Sequence, residues 1–483
     1  MSSAYEAVIG LEVHVELGTR TKMFCGCPTD FGGEPNTKTC AVCTGQPGSL
    51  PVPNAAAIEA AISLGLALAC DVAPRSQFHR KNYFYPDMPK NYQISQYDVP
   101  ICADGHLDVA VDGATRRIGI TRVHMEEDTG KSLHVGGTGR IAGADHSLID
   151  YNRAGIPLLE IVSEPDVRSP EEARAYLAEL RGIVRALGIS DAKLEEGSMR
   201  CDANVSVRRE GDEVFGTRVE VKNMNSLRSL QRAVAHEIER QGARLDAGET
   251  VTQETRHWDE DAGRTSTLRA KEEVFDYRYF PDPDLVPVTP ERAEVERLAA
   301  ALPELPAQTR ARLAGGLGLS DDAAATLVDA GLVGALDDAV AAGAEPTVAA
   351  KWLANEVLSW CREADVDPAA VPLAGDALAE LGDLVEAGTL STRLAREVLV
   401  GVLEGQGRPG EVAKARGLEQ VSDEGALVAL VDEAIAADPA AAEKVRGGND
   451  KAIGALVGAV MKASRGQANP QRVNELLRER LAP

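Results

Sequence analysis

The 483-residue sequence predicts an α+β fold class: an antiparallel-sheet domain first, an all-α helical domain next, and a small all-α domain last. Three observations predict it. All sixteen Phe and Tyr residues lie at or before Phe280, and only Trp352 and Trp360 carry large rings beyond it. The first ~290 residues mix period-two alternation with Gly/Pro turns, as antiparallel strands do. Beyond them Ala, Leu and acidic residues dominate and the apolar spacing becomes helical. Two breaks divide the chain: Pro281-Asp282-Pro283-Asp284 with Pro287, and Gly405-Gln406-Gly407-Arg408-Pro409-Gly410. The expected domains are 1–292, 293–404 and 405–483, since the chain is long for a single core.

The first strand is Ile9–Leu17. Its apolar Ile9, Leu11, Val13, Val15 and Leu17 fall on one face, and Glu12, His14 and Glu16 on the other. Residues two apart stand about 6.5 Å from each other along a strand, so the tips of Glu12 and His14 can meet at one ion. A solvent-facing polar edge would read the same way. After the strand come Cys25, Cys27, Cys40 and Cys43 in a C-x-C-x12-C-x2-C pattern, with Gly32-Gly33-Glu34-Pro35-Asn36 as the turn between the pairs. Two short pairs joined by a loop suit a closed tetrahedral zinc site that braces the loop, the alternative being free buried thiols. Cys70, Cys102, Cys201 and Cys361 have no such spacing.

The next segment, Arg80-Lys81-Asn82-Tyr83-Phe84-Tyr85-Pro86-Asp87, interleaves rings with cations, which suits stacking on a base, adenine or a tRNA 3′ end. Core packing accounts for such rings equally well. Three further segments carry carboxylates. His124-Met125-Glu126-Glu127-Asp128 follows a strand-like run from Ile118 to Val123. Glu160 stands alone among Leu158, Leu159, Ile161 and Val162, where an unpaired carboxylate is costly. Cys201–Arg208 alternates, with Asp202 and Asn204 on its polar face. Carboxylate and amide oxygens with an imidazole are hard donors suited to Mg²⁺, and Mg²⁺ points to phosphoryl chemistry. There is no P-loop, no kinase catalytic loop and no amidase-type serine loop, so any ATP pocket is of another kind. The stretch 405–410 matches G-x-G-x-x-G but follows a helical pattern and holds a proline, unlike a dinucleotide fingerprint.

The formal net charge is −24, which argues against a general nucleic-acid coat. The charge is uneven: residues 291–450 hold 29 acidic and 13 basic side chains, whereas 451–483 hold six basic and two acidic ones. That basic end, with Lys462, Arg465 and Arg472, is a candidate RNA handle or simply a solvated helix face. The final helix opens at Asn469-Pro470 and carries Val473, Leu476, Leu477 and Leu481 as its stripe. No apolar run approaches the ~18 residues of a membrane span and the N-terminus has no signal pattern, so a cytoplasmic protein is expected.

At these residues the chain resembles the GatB family, the B subunits of the bacterial three-subunit aspartyl/glutamyl-tRNA(Asn/Gln) amidotransferase. The segments that carry the likeness are Ile9–Leu17, Arg80–Asp87, Tyr92–Gln96, His124–Asp128, Asp150–Gly155, Ile161–Asp166, Glu195–Asn204, Asp276–Pro281 and Lys462–Pro470. The resemblance implies a ligase component that phosphorylates the side-chain carboxylate of Glu on tRNA(Gln) or Asp on tRNA(Asn) with ATP. Ammonia from glutamine, released by a partner amidase subunit (A), then displaces the phosphate, and a small subunit (C) ties the complex together. It implies a catalytic cradle, a helical domain and a tail that contacts tRNA. It places Mg²⁺ ligands on His14, Glu127, Glu160 and Asp202, with Glu12 adjacent in the catalytic set. Lys81, Asn82, Tyr83, Tyr85 and Asn204 are the expected substrate and nucleotide contacts, and Lys462, Arg465 and Arg472 the expected tRNA contacts. Zinc on the four cysteines occurs in only some members. The archaeal glutamyl-specific relative has an inserted domain for which this chain leaves no room, and a non-catalytic RNA-binding scaffold is the reading from another class.

Overall fold

A computed structural model describes residues 5–136, 143–270, 276–418, 424–447, 449–464 and 467–482. The chain divides into two compact units, Met1–Ala307 and Gln308–Pro483.

The strands of the first unit are β1 (Tyr5–Glu16), β2 (Asp71–Val72), β3 (His79–Asn82), β4 (Tyr92–Ser95), β5 (Cys102–Val111), β6 (Ala114–Glu127), β7 (Lys131–Val135), β8 (His146–Asp150), β9 (Pro157–Ser163), β10 (Met199–Arg209), β11 (Val219–Met224), β12 (Glu254–Asp259), β13 (Arg264–Ala270) and β14 (Phe280–Pro281). Nine of them form one sheet in the order β13-β12-β11-β10-β1-β9-β6-β5-β2. Every neighbouring pair is antiparallel except β11 with β12. A small sheet, β14-β3-β4, and a ribbon, β7-β8, complete the unit.

Alternation decides which face of the large sheet is which. On β1, Ile9, Leu11, Val13 and Val15 are buried in the core, as are Leu159 and Ile161 on β9 and Met199, Cys201, Ala203 and Val205 on β10. Burying each aliphatic side chain contributes about 1.5–3 kcal/mol. Three helices supply much of the cover for that face: α1 (Ala55–Ala67), α2 (Pro170–Ala186) and α3 (Leu227–Asp246). Asn54 caps α1 at the Ala56 amide, Ser169 caps α2 at Glu172 with Pro170 in the first turn, and Ser226 caps α3 at Ser229. The opposite face keeps the charged residues of the same strands.

A further helix, α4 (Arg292–Ala300), belongs to the first unit and buries Leu298 in its core. The helices of the second unit build two separate apolar clusters, one spanning Leu313 to Ala413 and one spanning Leu427 to Leu481. The helix Pro409–Ala415 buries Val412 and Ala413 in the first of these clusters, so the packing divides after Leu418 and not at the glycines of 405–410. Those glycines turn the chain between two helices of the same cluster, a local break that looks like a linker in sequence.

Gly65 lies inside α1 because the helix presses on β5: a Cβ there would stand 2.3 Å from the Cys102 sulfur and 2.8 Å from its Cβ. Gly65→Ala is expected to destabilise the first unit by about 1–3 kcal/mol through overpacking, despite the better helix propensity of alanine. Adding Cys102→Ala should recover part of that loss. Urea unfolding of Gly65→Ala, Cys102→Ala and the double variant checks it, and fully additive effects would remove the steric explanation.

Candidate active site

The polar face of the large sheet gathers its charged groups where β1, β9 and β6 run side by side. His14 stands opposite Glu160 on β9, and Glu160 stands opposite His124 on β6. The His14 Nε2 lies 3.3 Å from Glu160 Oε2, and the His124 Nε2 lies 3.5 Å from the same oxygen and 3.4 Å from Glu126 Oε1. Ligand atoms of His14, Glu126 and Glu160 all fall within 4.8 Å of one another. The small sheet closes over Glu126: Ser95 Oγ donates to its Oε1 at 2.8 Å and Gln93 Nε2 to its Oε2 at 3.3 Å.

Burial alone would raise the acids of this cluster. For Glu126, the His124 hydrogen bond and the charges of Lys81, His124 and His14 outweigh it and hold the carboxyl below its usual range. Glu160 is likewise held low against its burial by His124 and His14. His14 is raised: burial opposes its charge, but Glu160 beside it prevails. Glu12 goes the other way, pushed up by burial and by Glu160, although Asn204 Nδ2 donates to it at 2.8 Å. The result is two anionic carboxylates and a histidine at one point, with a more basic carboxylate next to them. That donor set can hold a hard divalent cation.

The structure does not bring Glu127 to this point. Its side chain turns away from Glu126, accepts the Ile94 amide at 2.9 Å and forms a buried ion pair with Lys90. Glu126 takes the place expected of Glu127. The strand parity contained the signal: Val123 and Met125 are core residues, so His124 and Glu126 share the other face. Asp202 stands opposite Glu12 across the β1–β10 ladder but is paired with Lys222, outside the tight group. His124 and Lys222 join the site although neither is among the metal or substrate contacts that the sequence leads one to expect.

Lys81 faces Glu126 and Glu160, which keep it charged against its burial. Its Nζ lies 5.0 Å from the centroid of Tyr277. Tyr277 meets Tyr279 edge-on, and Tyr279 stacks on Tyr97 at 4.4 Å. The ring wall beside the cluster is therefore Tyr97, Tyr277 and Tyr279. Tyr83 and Tyr85 sit 6.0 Å apart as a tilted pair of their own, and the Asn82 amide clamps the Tyr277 and Arg278 carbonyls. A cavity of about 550 Å³ opens at the next polar position of β1, Glu16, and is lined also by Asp30, Lys131, Asp150, Arg153 and Glu196. Burial and a hydrogen bond shared with Asp128 push Glu16 up to about 8.

The sulfurs of Cys25, Cys27, Cys40 and Cys43 lie within 4.8 Å of one another, so the four-cysteine cluster can hold a metal ion. Cys43 is pulled down to about 5 by a hydrogen bond from Cys25, with help from the Cys40 amide at 3.2 Å and from Lys22. Cys27 is pushed up to about 11, mainly by burial, and Cys25 is raised by its bond to Cys43. The buried Lys22 ammonium reaches Cys43 Sγ at 3.8 Å and donates to the carbonyls of Lys38 and Tyr151, which fastens the loop to the first unit.

In the second unit Lys462 is exposed, near the end of the helix Ile453–Ala463. Arg472 is paired with Glu475 at 2.9 Å and lies 3.8 Å from Glu479, and Arg465 lies outside the described residues. Among the described residues, no helix is long and apolar enough to cross a membrane.

Residues 7–296 match the family model described as the GatB/GatE catalytic domain, and residues 335–481 match the GatB domain model. The chain is 59% identical to the B subunit of the aspartyl/glutamyl-tRNA(Asn/Gln) amidotransferase of Salinispora tropica, over 99% of this chain and 96% of that protein. It is 58% identical to the protein of the same name from Frankia casuarinae and 55% identical to that of Streptomyces coelicolor, again over 99% and 96%. Both family models and relatives that align from end to end lead to one assignment: the chain belongs to the GatB family of amidotransferase B subunits.

Proposed function

We propose that this chain is the ATP-using component of a tRNA-dependent amidotransferase. It would convert Glu-tRNA(Gln) and/or Asp-tRNA(Asn) to Gln-tRNA(Gln) and Asn-tRNA(Asn). The observation that carries the reading is the meeting of His14, Glu126 and Glu160 on the polar face of the large sheet, with Lys81 beside them. The names of the relatives supply the substrate class, aspartyl or glutamyl tRNA. Ammonia would come from a partner amidase subunit, with a small third subunit in the complex, in the cytoplasm where charged tRNA is used.

A carboxylate is a poor acylating agent because its leaving group would be oxide. In the proposed reaction a side-chain carboxylate oxygen attacks the γ-phosphorus of ATP and ADP leaves. Ammonia then attacks the acyl carbon and phosphate leaves. His14, Glu126 and Glu160 would hold Mg²⁺, with Glu12 and Asp202 adjacent, and the hard donor set fits that ion. Bound there, Mg²⁺ would neutralise charge on the transferring phosphoryl group. Lys81 would orient the substrate carboxylate through its ammonium, and the Tyr97–Tyr279 stack offers a flat partner for a base. Glu12, more basic than an ordinary carboxylate, would take the proton that ammonia loses as it adds.

The four cysteines would hold Zn²⁺ in a closed structural site, since four thiolates leave no open position. The last apolar cluster, Leu427–Leu481, would present Lys462 to the tRNA backbone, while Arg472, already paired with Glu475, would contribute less.

Three measurements test these readings in the complex reconstituted with amidase and small subunits. Glu126→Gln should lower ATP-dependent acyl-phosphate formation by about 100-fold or more, as loss of a transition-state contact does. Glu127→Gln should leave that step largely intact but cost about 3 kcal/mol of stability, because it strands the buried Lys90. The reverse pattern would return Glu127 to the metal.

Protein purified without chelators should contain about one zinc per chain, and Cys40→Ser should lose it. Four freely reactive thiols in metal-free native protein would remove the zinc site.

Truncation after Leu418 should weaken binding of charged tRNA and flatten its salt dependence, because phosphate contacts release counterions. A truncated complex that binds charged tRNA as tightly as the full one, at low and at high salt alike, would make the tail structural only.

A further inference from the structure

The polar face that would receive ATP carries Glu12, Glu126, Glu160, Asp202 and Glu220, and a nucleotide triphosphate is itself strongly anionic. One divalent ion offsets only part of that charge, so cations of the protein must be within reach of the phosphates. Lys81 stands at one end of the row. At the other end is Lys222 on β11, ion-paired with Asp202 and 3.1 Å from Glu220, which itself accepts a hydrogen bond from Thr255.

The backbone places Lys222 there by an irregularity. The β10–β11 register shifts between Cys201 and Ala203, so that Asp202 alone faces both Lys222 and Asn223 of β11. Asn223 has φ of +72°, and its amide is anchored on the Trp258 carbonyl at 3.1 Å. A bulge re-aims the side chain beside it. Here it aims a lysine at Asp202, which was expected in the metal set and stands outside the tight group. Lys222 keeps about a third of its side chain exposed, so its ammonium can change partners. Strands lie about 4.8 Å apart, which puts β11 about 14 Å from Glu160 on β9, a separation that an extended triphosphate and a lysine arm together can span.

We propose that Lys222 is a phosphate-binding residue held in reserve by Asp202. When a Mg²⁺-nucleotide enters, the ammonium moves from Asp202 and Glu220 to a phosphate oxygen, and Asp202 is released toward the cation. Free protein thus keeps Asp202 neutralised, and the nucleotide exchanges one ion pair for another. This rests on the ATP-dependent reading above.

The test is binding, measured on the whole three-subunit complex with Mg²⁺ and a non-hydrolysable ATP analogue by calorimetry. Lys222→Met should raise Kd about 10-fold or more, as loss of a charge-assisted hydrogen bond does, and Lys222→Arg should stay within about threefold of wild type. The double variant Glu220→Gln/Lys222→Met keeps the local charge balance and carries the test if Lys222→Met alone unfolds. Its affinity should also be low. Wild-type affinity in Lys222→Met, or recovery of affinity in the double variant, would reduce Lys222 to a structural counter-ion of its neighbours. A wild-type complex that does not bind the analogue in the presence of Mg²⁺ would instead overturn the ATP-dependent reading itself.

Discussion

β1 is hydrogen-bonded along both edges, to β10 on one side and β9 on the other, and one of its faces is sealed by core residues. A strand held in this way has no freedom of register: a slip of one residue would put Glu12, His14 and Glu16 into the apolar core. The rest of the site inherits its position from that constraint. Glu12 is set opposite Asp202, and His14 opposite Glu160, by ladder hydrogen bonds and not by the side chains' own attraction. Helices α1, α2 and α3 therefore serve the site indirectly, by making one face of the sheet too costly for anything polar.

Concentrating acids on the remaining face raises an electrostatic problem, and the structure answers it unevenly. Two imidazoles and Lys81 hold Glu126 and Glu160 ionised, while Glu12 has only the Asn204 amide and drifts upward. Lys222 compensates Asp202 and Glu220 on the far side. The outcome is a gradient across a few strands, from fully anionic carboxylates to a more basic one. A site that must hold a cation and also accept a proton needs both kinds.

The cysteine loop has a separate support. Lys22 is buried and donates to the Lys38 and Tyr151 carbonyls as well as approaching Cys43, so the loop's position does not depend on the sulfurs alone. Its turn residues Asp30, Phe31, Gly32 and Gly33 border the cavity at Glu16. An ion held by the four thiolates would stiffen that wall without entering the chemistry.

Much of this was legible in the sequence. The alternation of Ile9–Leu17, the cysteine spacing and the change in composition near residue 290 follow from local periodicity and residue type. They determined the fold class, β1's polar face and the presence of a four-cysteine cluster. The choice between adjacent acids required parity fixed by a partner strand: Glu126, not Glu127, faces His14 because Met125 is held in the core and Lys90 engages Glu127. Arg80–Asp87 pointed to a ring platform, but Tyr97, Tyr277 and Tyr279 assemble beside Lys81 from segments about 180 residues apart in the chain. Lys222 carries no motif at all, and a register shift between two strands is what brings it to Asp202. The sequence by itself determined which faces are apolar, because burial acts on each residue's own chemistry. Only the tertiary structure decided which charges meet, because that depends on the register between strands distant in the chain.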